Sequence, residues 1–476
     1  MRPRHVLCPV LLLVSGMLCS AQTPTEDLAR LLRDRKIIST EEFERIGATG
    51  SSQQIDVLTT MLRDKGVITA SEASSLGVKA SPMPIANRSE PKPEPPPDPG
   101  SDVNRKLTIY GTLLFNAFFN STGTNNADIP SFALTNAPGP QQNFGATARQ
   151  TRLGLSYSGL TVAGAKLSGT AEVDFFGGSP ALTNGINMDV VRMRLAYGRM
   201  EWKRLAIEAG QDWTIFAPLN PTSLAEFAIP EFSASGNLWI RTPQVRAEWK
   251  GGLGKRRTFL WQVAALDPDI GDNPAAFSTA RLPRAGELGR LPAVETRLAF
   301  SNPIGDRTAT FAVSGHWGAA KNSSTTNGLV TTRSFSSWGA AVDYNLPLSK
   351  LLNISGEVFA GRALGVYSGG IAQTVAPPGQ LGDNGVGTRG GWLQVQLNFT
   401  SKLQTNLAYG IDAPILHTLS TGSRSKNQTY MGNVQYHFTP HMAVALEWRR
   451  FLTNYFNQAA ANNSGDHVNL AAAYTF

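Results

Sequence analysis

Residues 105–476 alternate between apolar and small or polar side chains in many short runs. In residues 152–158, 394–399 and 467–476, nearly every second side chain is apolar. A period of two places successive side chains on opposite faces of a β-strand. The pattern therefore predicts strands that each have one apolar face and one polar face.

Sixteen such runs follow one another, and most are 10–13 residues long, which is near the length that a tilted strand needs to cross a bilayer. They are 106–119, 149–159, 164–176, 188–199, 204–213, 239–250, 257–267, 292–301, 308–318, 332–344, 351–362, 388–399, 402–412, 427–438, 441–452 and 465–476. Aromatic residues at many strand ends, such as Trp249 and Phe438, are typical of the rings at a membrane–water interface.

The connections between these runs alternate in length. Those after even-numbered strands are short, and those after odd-numbered strands are long. Outer-membrane barrels have tight periplasmic turns and long external loops, and a bilayer requires that every strand edge is paired. We therefore predict an all-β transmembrane barrel of sixteen antiparallel strands over residues 105–476, in the outer membrane, with both ends of the barrel chain in the periplasm.

The N-terminus is typical of an export signal. Arg2 and Arg4 precede an apolar stretch, and small residues end at Ala21, so we predict a signal peptide over residues 1–21. Cleavage before Cys19, as in a lipoprotein, is the alternative. Cleavage after Ala21 leaves no cysteine, because Cys8 and Cys19 are the two in the chain.

Residues 22–77 contain a repeat of about 30 residues with helical apolar spacing, since residues 31–39 recur as 61–69. Residues 39–42 and 69–72 fit capping boxes that each open a second short helix. We predict a small α-helical periplasmic segment of tandem hairpins, whose apolar stripes meet another copy of the repeat or another chain. Its role is either oligomerisation or attachment to a periplasmic or cell-wall partner, or that of a plain spacer.

Residues 78–104 form a proline-rich linker, because the run at 91–99 favours an extended polyproline helix. The linker separates the helical segment from the barrel.

Charge adds to this organisation. The net charge is +8, and residues 101–476 carry 31 basic and 23 acidic residues, so the basic excess belongs to the barrel. A barrel of about sixteen strands is too wide to be filled by side chains and leaves an aqueous channel. Its function then depends on the residues that line the channel.

The alternation predicts which charged residues point inward. The basic candidates are Arg152, Arg192, Arg194, Arg246 and Arg297, and the acidic ones on strands are Asp174, Glu208 and Asp212. Opposed charges across a wet constriction create a transverse field that selects ions. The alternative is that these charges only pair with one another along the wall.

The third long connection, residues 214–238, is rich in apolar residues for an external loop. Residues 223–226 fit a capping box for a short helix. If the loop folds into the barrel, Glu226 and Glu231 face the arginine-bearing wall and narrow the channel. The alternative is a loop that lies over a neighbouring subunit.

The barrel segment resembles general bacterial porins and, more narrowly, the DcaP-like trimeric porins. The similarity is carried by Leu107–Gly111, Arg152–Gly154, Val191–Arg194, Ala209–Trp213 and the alternating end at Phe476. The resemblance implies a homotrimer, a third loop that narrows the channel, and small anionic solutes such as dicarboxylates as cargo. The paired hairpins depart from those porins, which carry a longer coiled coil. Phosphate-selective porins are a second, broader likeness.

Other chemistries have little support in the sequence. The histidines lack the spacing of metal ligands, so no metal or other cofactor is expected. No grouping of Ser, His and acid indicates an enzyme, and the arginines alternate inside strands, unlike a nucleic-acid-binding patch. The expected function is passive diffusion of small anionic solutes through a porin. An envelope-tethering protein is the alternative.

Overall fold

The computed structural model of the protein describes residues 24–35, 37–48, 54–64, 105–135, 141–179, 189–254, 256–270, 283–326, 328–458 and 462–476. They belong to two compact units, one N-terminal to Pro82 and one from Met83 onward. The predicted signal peptide, the second capping box at residues 69–72 and the proline-rich linker lie outside the described residues.

The N-terminal unit contains three helices: α1 (Pro24–Asp34), α2 (Thr40–Gly47) and α3 (Gln54–Asp64). Ser39 begins α2 with the expected capping box, since its hydroxyl accepts from Glu42 N and the Glu42 carboxylate accepts from Ser39 N. The helices share a core that includes Ala29, Ile46 and Leu58. The apolar stripe of the first repeat thus packs on α3, which belongs to the second.

The second unit is one antiparallel sheet, and its described residues form seventeen strands. They are β1 (Lys106–Asn120), β2 (Asn143–Thr147), β3 (Arg152–Val162), β4 (Ala165–Asp174), β5 (Arg192–Glu201), β6 (Leu205–Trp213), β7 (Arg241–Leu253), β8 (Arg257–Leu266), β9 (Ala293–Ile304), β10 (Arg307–Thr326), β11 (Leu329–Pro347), β12 (Leu352–Arg362), β13 (Gly387–Asn398), β14 (Leu403–Pro414), β15 (Arg424–His437), β16 (Met442–Tyr455) and β17 (Asn462–Thr475). Short helical turns lie at Glu287–Gly289, Gly365–Tyr367, Gly369–Ala372 and Leu416–Thr418.

The sheet closes into a sixteen-strand barrel. β1 pairs with β17 on one side, and on the other side it pairs with β3 along its first half and with β2 along its second half. β2 and β3 therefore act as one barrel strand that is interrupted between Thr147 and Arg152. The predicted barrel of sixteen antiparallel strands is confirmed, and the extra segment β2 is the element that the sequence pattern did not indicate.

Every other strand is joined to its neighbour by a connection of two to four residues, as between β3 and β4 or β13 and β14. These connections define one end of the barrel, which is the periplasmic end of outer-membrane barrels. At this end the last residue, Phe476, exchanges backbone hydrogen bonds with Gly111 of β1. Among the described residues, no helix combines the length and apolar character needed to cross a membrane.

Candidate pore lining and inner loop

Strand β16 shows how the barrel sorts its side chains. Leu446 and Trp448 are about half exposed, whereas Glu447 and Arg449, which alternate with them, are buried. The apolar face therefore points outward and the charged face inward, the reverse of a water-soluble protein. This arrangement fits a barrel with lipid around it and a polar lumen.

The long connection between β6 and β7 runs through the interior. Thr214, Ile215 and Phe216 begin it, and their hydroxyl and backbone N–H groups donate to the Glu295 carboxylate of β9 at 2.6, 3.1 and 3.3 Å. Tyr367 also donates to Glu295, at 2.8 Å. One buried carboxylate thus holds the beginning of the loop to the wall.

The same loop then contacts inward residues of one strand after another. Its backbone or side chains bond to Ser314 of β10, Glu357 of β12, Gln394 of β13, Glu447 of β16 and Asn116 of β1. Only a loop inside the barrel can reach strands on all sides, so the alternative of a loop over a neighbouring subunit is wrong. This loop, residues 214–240, is called the inner loop below.

Gln150, in the break between β2 and β3, is an anchor that the sequence analysis missed. Its side chain accepts from Phe227 N and Ala228 N at 2.7 and 2.9 Å and donates to Ala225 O at 2.8 Å. Gln150 is fully buried. Gln150 lies two residues before Arg152, and residues two apart in a strand share a face. This spacing is the sequence signal that could have placed Gln150 on the inward face.

The returning half of the inner loop packs closely on the wall. Gly236 has a φ of +107°, and a Cβ atom there would lie 2.2 Å from the carbonyl oxygen of Gly391 in β13. Asn427 of β15 donates to Ala234 O at 2.9 Å. The backbone of the loop therefore lies directly against strand backbone, which only glycine permits at this position.

Residues 223–226 do not form the predicted short helix. The Ser223 hydroxyl accepts from Ala225 N and Glu226 N as a helix cap would, at 3.0 and 3.1 Å. The Glu226 side chain, however, hydrogen-bonds to Arg449 of β16 and does not complete the capping box. The chain stays in turns because its side chains bind the wall.

Glu226 and Glu231 face the barrel wall, and the strand that they contact is β16 and not the strands that carry the five basic candidates. Arg449 donates to Glu226, lies 3.5 Å from Glu231, and lies 3.5 Å from Glu447 on its own strand. Both loop carboxylates are buried. Burial raises the pKa of Glu226 to about 7 against the attraction of Arg449, and it raises the pKa of Glu231 well above its usual value. None of the five basic candidates makes an ion pair with either carboxylate.

Two of the predicted arginines share one cluster of ion pairs. Arg192 binds Asp174 through two hydrogen bonds of 3.0 and 2.6 Å. Arg194 lies 2.5 Å from Glu172 and 3.1 Å from Asp174, and it is fully buried. The sequence-predicted partners Asp174, Arg192 and Arg194 are therefore together.

A second cluster contains Arg246, which contacts Glu208, Asp212 and Glu248. Arg199 of β5 joins it through Glu208 and Glu248. Separately, Arg297 of β9 pairs with Asp343 of β11 at 2.6 Å. Arg246, Arg297, Glu208 and Asp212 are all buried, so their charges face one another within the wall.

The charged side chains of the wall differ in their exposure. Ten carboxylates on inward strand positions of the described chain are buried; they are Glu172, Asp174, Glu208, Asp212, Glu248, Glu295, Asp343, Glu357, Asp412 and Glu447. The exception is Glu201 at the end of β5, whose side chain is 24% exposed and lies near Arg199 and Lys250. By contrast, Arg152, Arg192 and Arg241 are only partly buried, and the Arg192 side chain is 25% exposed. Solvent in the lumen therefore meets guanidinium groups more than carboxylates.

These three arginines come from β3, β5 and β7 and meet at one point of the inner loop. Arg152 donates to Phe227 O, and Arg192 and Arg241 donate to Ala228 O at 2.8 and 3.4 Å. We call Arg152, Arg192 and Arg241 the arginine cluster. The loop carbonyls therefore fix the positions of the three guanidinium groups.

Ser337, His316 and Glu295 are arranged like the residues of a catalytic triad, but a solute in the lumen cannot reach them. Ser337 lies 3.1 Å from His316 Nε2, and His316 Nδ1 lies 3.4 Å from Glu295. All three are buried, and Ser337 donates to Ala363 O. They are part of the packing around the start of the inner loop. Within the described ranges, no group of three or more His, Cys, Asp or Glu residues is placed to hold a metal ion.

A closed sixteen-strand barrel with an outward apolar face, a charged lumen and an inward-folded loop is an outer-membrane β-barrel. It spans the outer membrane, and its architecture is that of the outer-membrane channels.

No protein-family model matches the sequence, and no curated protein matches it. Among solved structures, the chain is similar to the outer membrane channel DcaP of Acinetobacter baumannii, with 19% identity, 79% of this chain and 99% of that chain covered, and a TM-score of 0.58. It is also similar to OmpT of Vibrio cholerae, with 12% identity, 79% and 99% covered, and a TM-score of 0.49. An anion-selective porin from Comamonas acidovorans has 12% identity, 78% and 100% covered, and a TM-score of 0.47. What the chain shares with DcaP at this identity is the fold.

Proposed function

We propose that the protein is an outer-membrane porin for passive diffusion of small hydrophilic, anionic solutes. The observation that carries this proposal is the difference in exposure between the buried wall carboxylates and the partly exposed arginine cluster. The charge that a solute meets in the lumen is then positive, although acidic and basic residues are similar in number along the wall.

The surroundings of the cluster support anion binding. Arg152, Arg192, Arg194 and Arg241 lie around the carboxylates of Glu172 and Asp174. Four guanidinium groups against two carboxylates leave a local positive excess. Since interactions in a narrow, partly dehydrated lumen are stronger than in bulk water, this excess attracts anions and repels cations.

Reversal potentials in planar bilayers test the proposal. In a tenfold KCl gradient, the wild-type channel is expected to prefer chloride. The variant Arg152→Gln/Arg192→Gln/Arg241→Gln is expected to lose several-fold in the chloride-to-potassium permeability ratio. Arg333→Gln, an exposed arginine of the β11 end, is the matched control and should keep the wild-type ratio. Cation preference of the wild type would refute the anion part, and an absence of conductance would refute the channel.

We further propose that the barrel assembles as a homotrimer. Outward positions of β4, β5 and β6 carry the small residues Gly169, Ala171, Ala196, Gly198 and Ala209, which lie next to one another and leave room for a neighbouring barrel to pack closely. Native mass spectrometry of the detergent-extracted protein tests this. A predominant monomer would contradict it.

Envelope tethering is the second candidate function, and the helical unit favours it. Leu28, Leu31 and Ile55 remain 49%, 52% and 46% exposed beside its small core. Apolar side chains of this kind can bind a periplasmic partner. A chain without residues 22–100 is expected to keep its conductance and to lose co-sedimentation with cell-wall material, and unchanged co-sedimentation would exclude the tether.

A further inference from the structure

The positive charge of the barrel is concentrated at its periplasmic end. Within two residues of the short connections and at the start of β1, the described chain carries ten basic residues and two acidic ones, Glu201 and Asp306. The basic residues are Arg105, Lys106, Lys166, Lys203, Arg204, Arg256, Arg257, Arg307, Lys350 and Lys402. The described rim therefore has a net charge of +8.

A groove of about 400 Å³ lies within this rim, between the β7–β8 connection and the end of β9. It is lined by Leu253, Arg256, Arg257, Asn302 and Pro303. The Nε atom of Arg257 donates to Asn302 Oδ1 at 3.0 Å, which holds the guanidinium against the groove. The groove therefore combines two cations, one amide and two apolar residues.

The strand register places the groove on the lipid side of the barrel. Arg257 pairs with Leu253 of β7. It lies on the same face of β8 as Phe259 and Trp261, because these residues are two positions apart along the strand. Trp261 is 47% exposed and Trp249, its partner on β7, is 46% exposed. Because aromatic rings at a barrel end mark the headgroup level, Arg257 projects at the depth of lipid headgroups.

The groove arginines also differ from the luminal arginines in their partners. Neither Arg256 nor Arg257 forms an ion pair with a carboxylate in the described part of the chain, whereas Arg194, Arg246 and Arg449 each contact two or more. Both groove arginines are exposed. A guanidinium with open N–H groups binds phosphate oxygens through two parallel hydrogen bonds.

We propose that this groove binds the phosphate headgroup of an anionic phospholipid in the periplasmic leaflet of the outer membrane. Arg256 and Arg257 hold the phosphate, Asn302 orients Arg257, and Leu253 and Pro303 lie beside the glycerol and the start of the acyl chains. Trp249, Phe259 and Trp261 then cover the chains along the outer wall. The site is independent of transport through the lumen.

Native mass spectrometry with defined lipids tests the site. The full chain is released from nanodiscs that contain equal amounts of phosphatidylglycerol and phosphatidylethanolamine, and the retained lipids are counted. Wild type is expected to retain phosphatidylglycerol preferentially, and Arg256→Gln/Arg257→Gln is expected to lose at least fivefold of that preference. The matched control Lys350→Gln/Lys402→Gln removes two rim charges outside the groove and should retain it.

Further measurements distinguish a lipid phosphate from a soluble one and provide a test if the double variant does not fold. Addition of inorganic phosphate should not displace the lipid, and displacement at millimolar phosphate would overturn the lipid assignment in favour of a soluble anion. Equal retention of both lipids, or an equal loss in the control variant, would also overturn it. If the double variant does not fold, the single variant Arg257→Lys is used, because lysine keeps the positive charge but cannot form the two parallel hydrogen bonds of a guanidinium. Retention of phosphatidylglycerol should then fall severalfold. Unchanged retention refutes the site.

Discussion

Arg449 shows what a single side chain does in this lumen. It contacts the carboxylates of Glu226, Glu231 and Glu447 in a fully buried position, and so it joins the middle of the inner loop to β16. Removal of the cation from a buried ionic cluster leaves charge without a partner, which is among the costliest changes to a protein interior.

We expect Arg449→Leu to lower the free energy of unfolding by about 3–5 kcal/mol, as for other buried pairs that lose one partner. Arg450→Leu is the control at the next position, because Arg450 faces outward and its pair with Asp466 is partly exposed. Exposed pairs contribute only about 0–1 kcal/mol. Urea unfolding in lipid vesicles measures both, and equal losses would contradict the role of the buried cluster.

The raised pKa of Glu226 predicts a pH dependence. Between pH 4.5 and about 7 the folded chain keeps a proton on Glu226 that the unfolded chain loses, so stability from this group falls as pH rises through that window. Glu226→Gln keeps the neutral form at every pH. The difference in unfolding free energy between wild type and variant should therefore change from pH 5 to pH 7 and be constant above. If the difference in unfolding free energy is the same at every pH from 5 to 7, the raised pKa of Glu226 is refuted.

At the scale of elements, the inner loop is the feature that occupies the interior of the barrel. The side chains of Asn220 and Asn237 bring its two halves into contact, with Nδ2 of Asn237 3.0 Å from Oδ1 of Asn220. The segment between them can therefore be removed and the ends joined by a short linker.

Replacement of residues 221–236 by two glycines should raise single-channel conductance severalfold, because the segment lies inside a barrel that is otherwise wide enough for an aqueous channel. Single-channel recording in KCl measures this. The control is removal of residues 323–332, where β10 and β11 meet. The described residues there are largely exposed, so this removal should leave conductance unchanged. Equal conductance in the loop variant would show that the constriction lies elsewhere.

At the scale of the whole molecule, charge and hydrophobicity are each sorted by position. Leucine and tryptophan side chains of β16 face lipid, carboxylates are buried in the wall, three arginines line the lumen, and the remaining excess of basic residues forms the periplasmic rim. Much of the net positive charge of the barrel therefore lies at the rim. The proposed anion preference depends on the exposure of the arginine cluster.

This sorting predicts two separable effects on the intact channel. Arg256→Gln/Arg257→Gln should leave the chloride-to-potassium permeability ratio close to that of wild type, because Arg257 is on the outward face and Arg256 lies in the connection beside it. The arginine-cluster variant should change the ratio and leave lipid retention unchanged. Both variants, assayed in parallel in bilayers and nanodiscs, test the separation; a large effect of the rim variant on selectivity would contradict it.

The sequence predicted most of the fold because a barrel strand must alternate along its whole length. The sixteen runs coincide with barrel strands, and the inward positions of Arg152, Arg192 and Arg246 follow from parity. Two features escaped it. β2 is a five-residue segment, too short for a clear alternation. Gln150 has the parity of Arg152, but it carries no charge and so did not stand out among the inward positions.

The sequence by itself determined the closed barrel, the inward face of each strand and the apolar character of the long third loop, since these depend on local order along the chain. The tertiary structure alone decided which charges meet. Glu226 and Glu231 lie 223 and 218 residues from Arg449 in the chain, and only the path of the inner loop brings them into contact. It also decided which charges stay exposed, because exposure depends on what packs against a side chain and not on its neighbours in sequence.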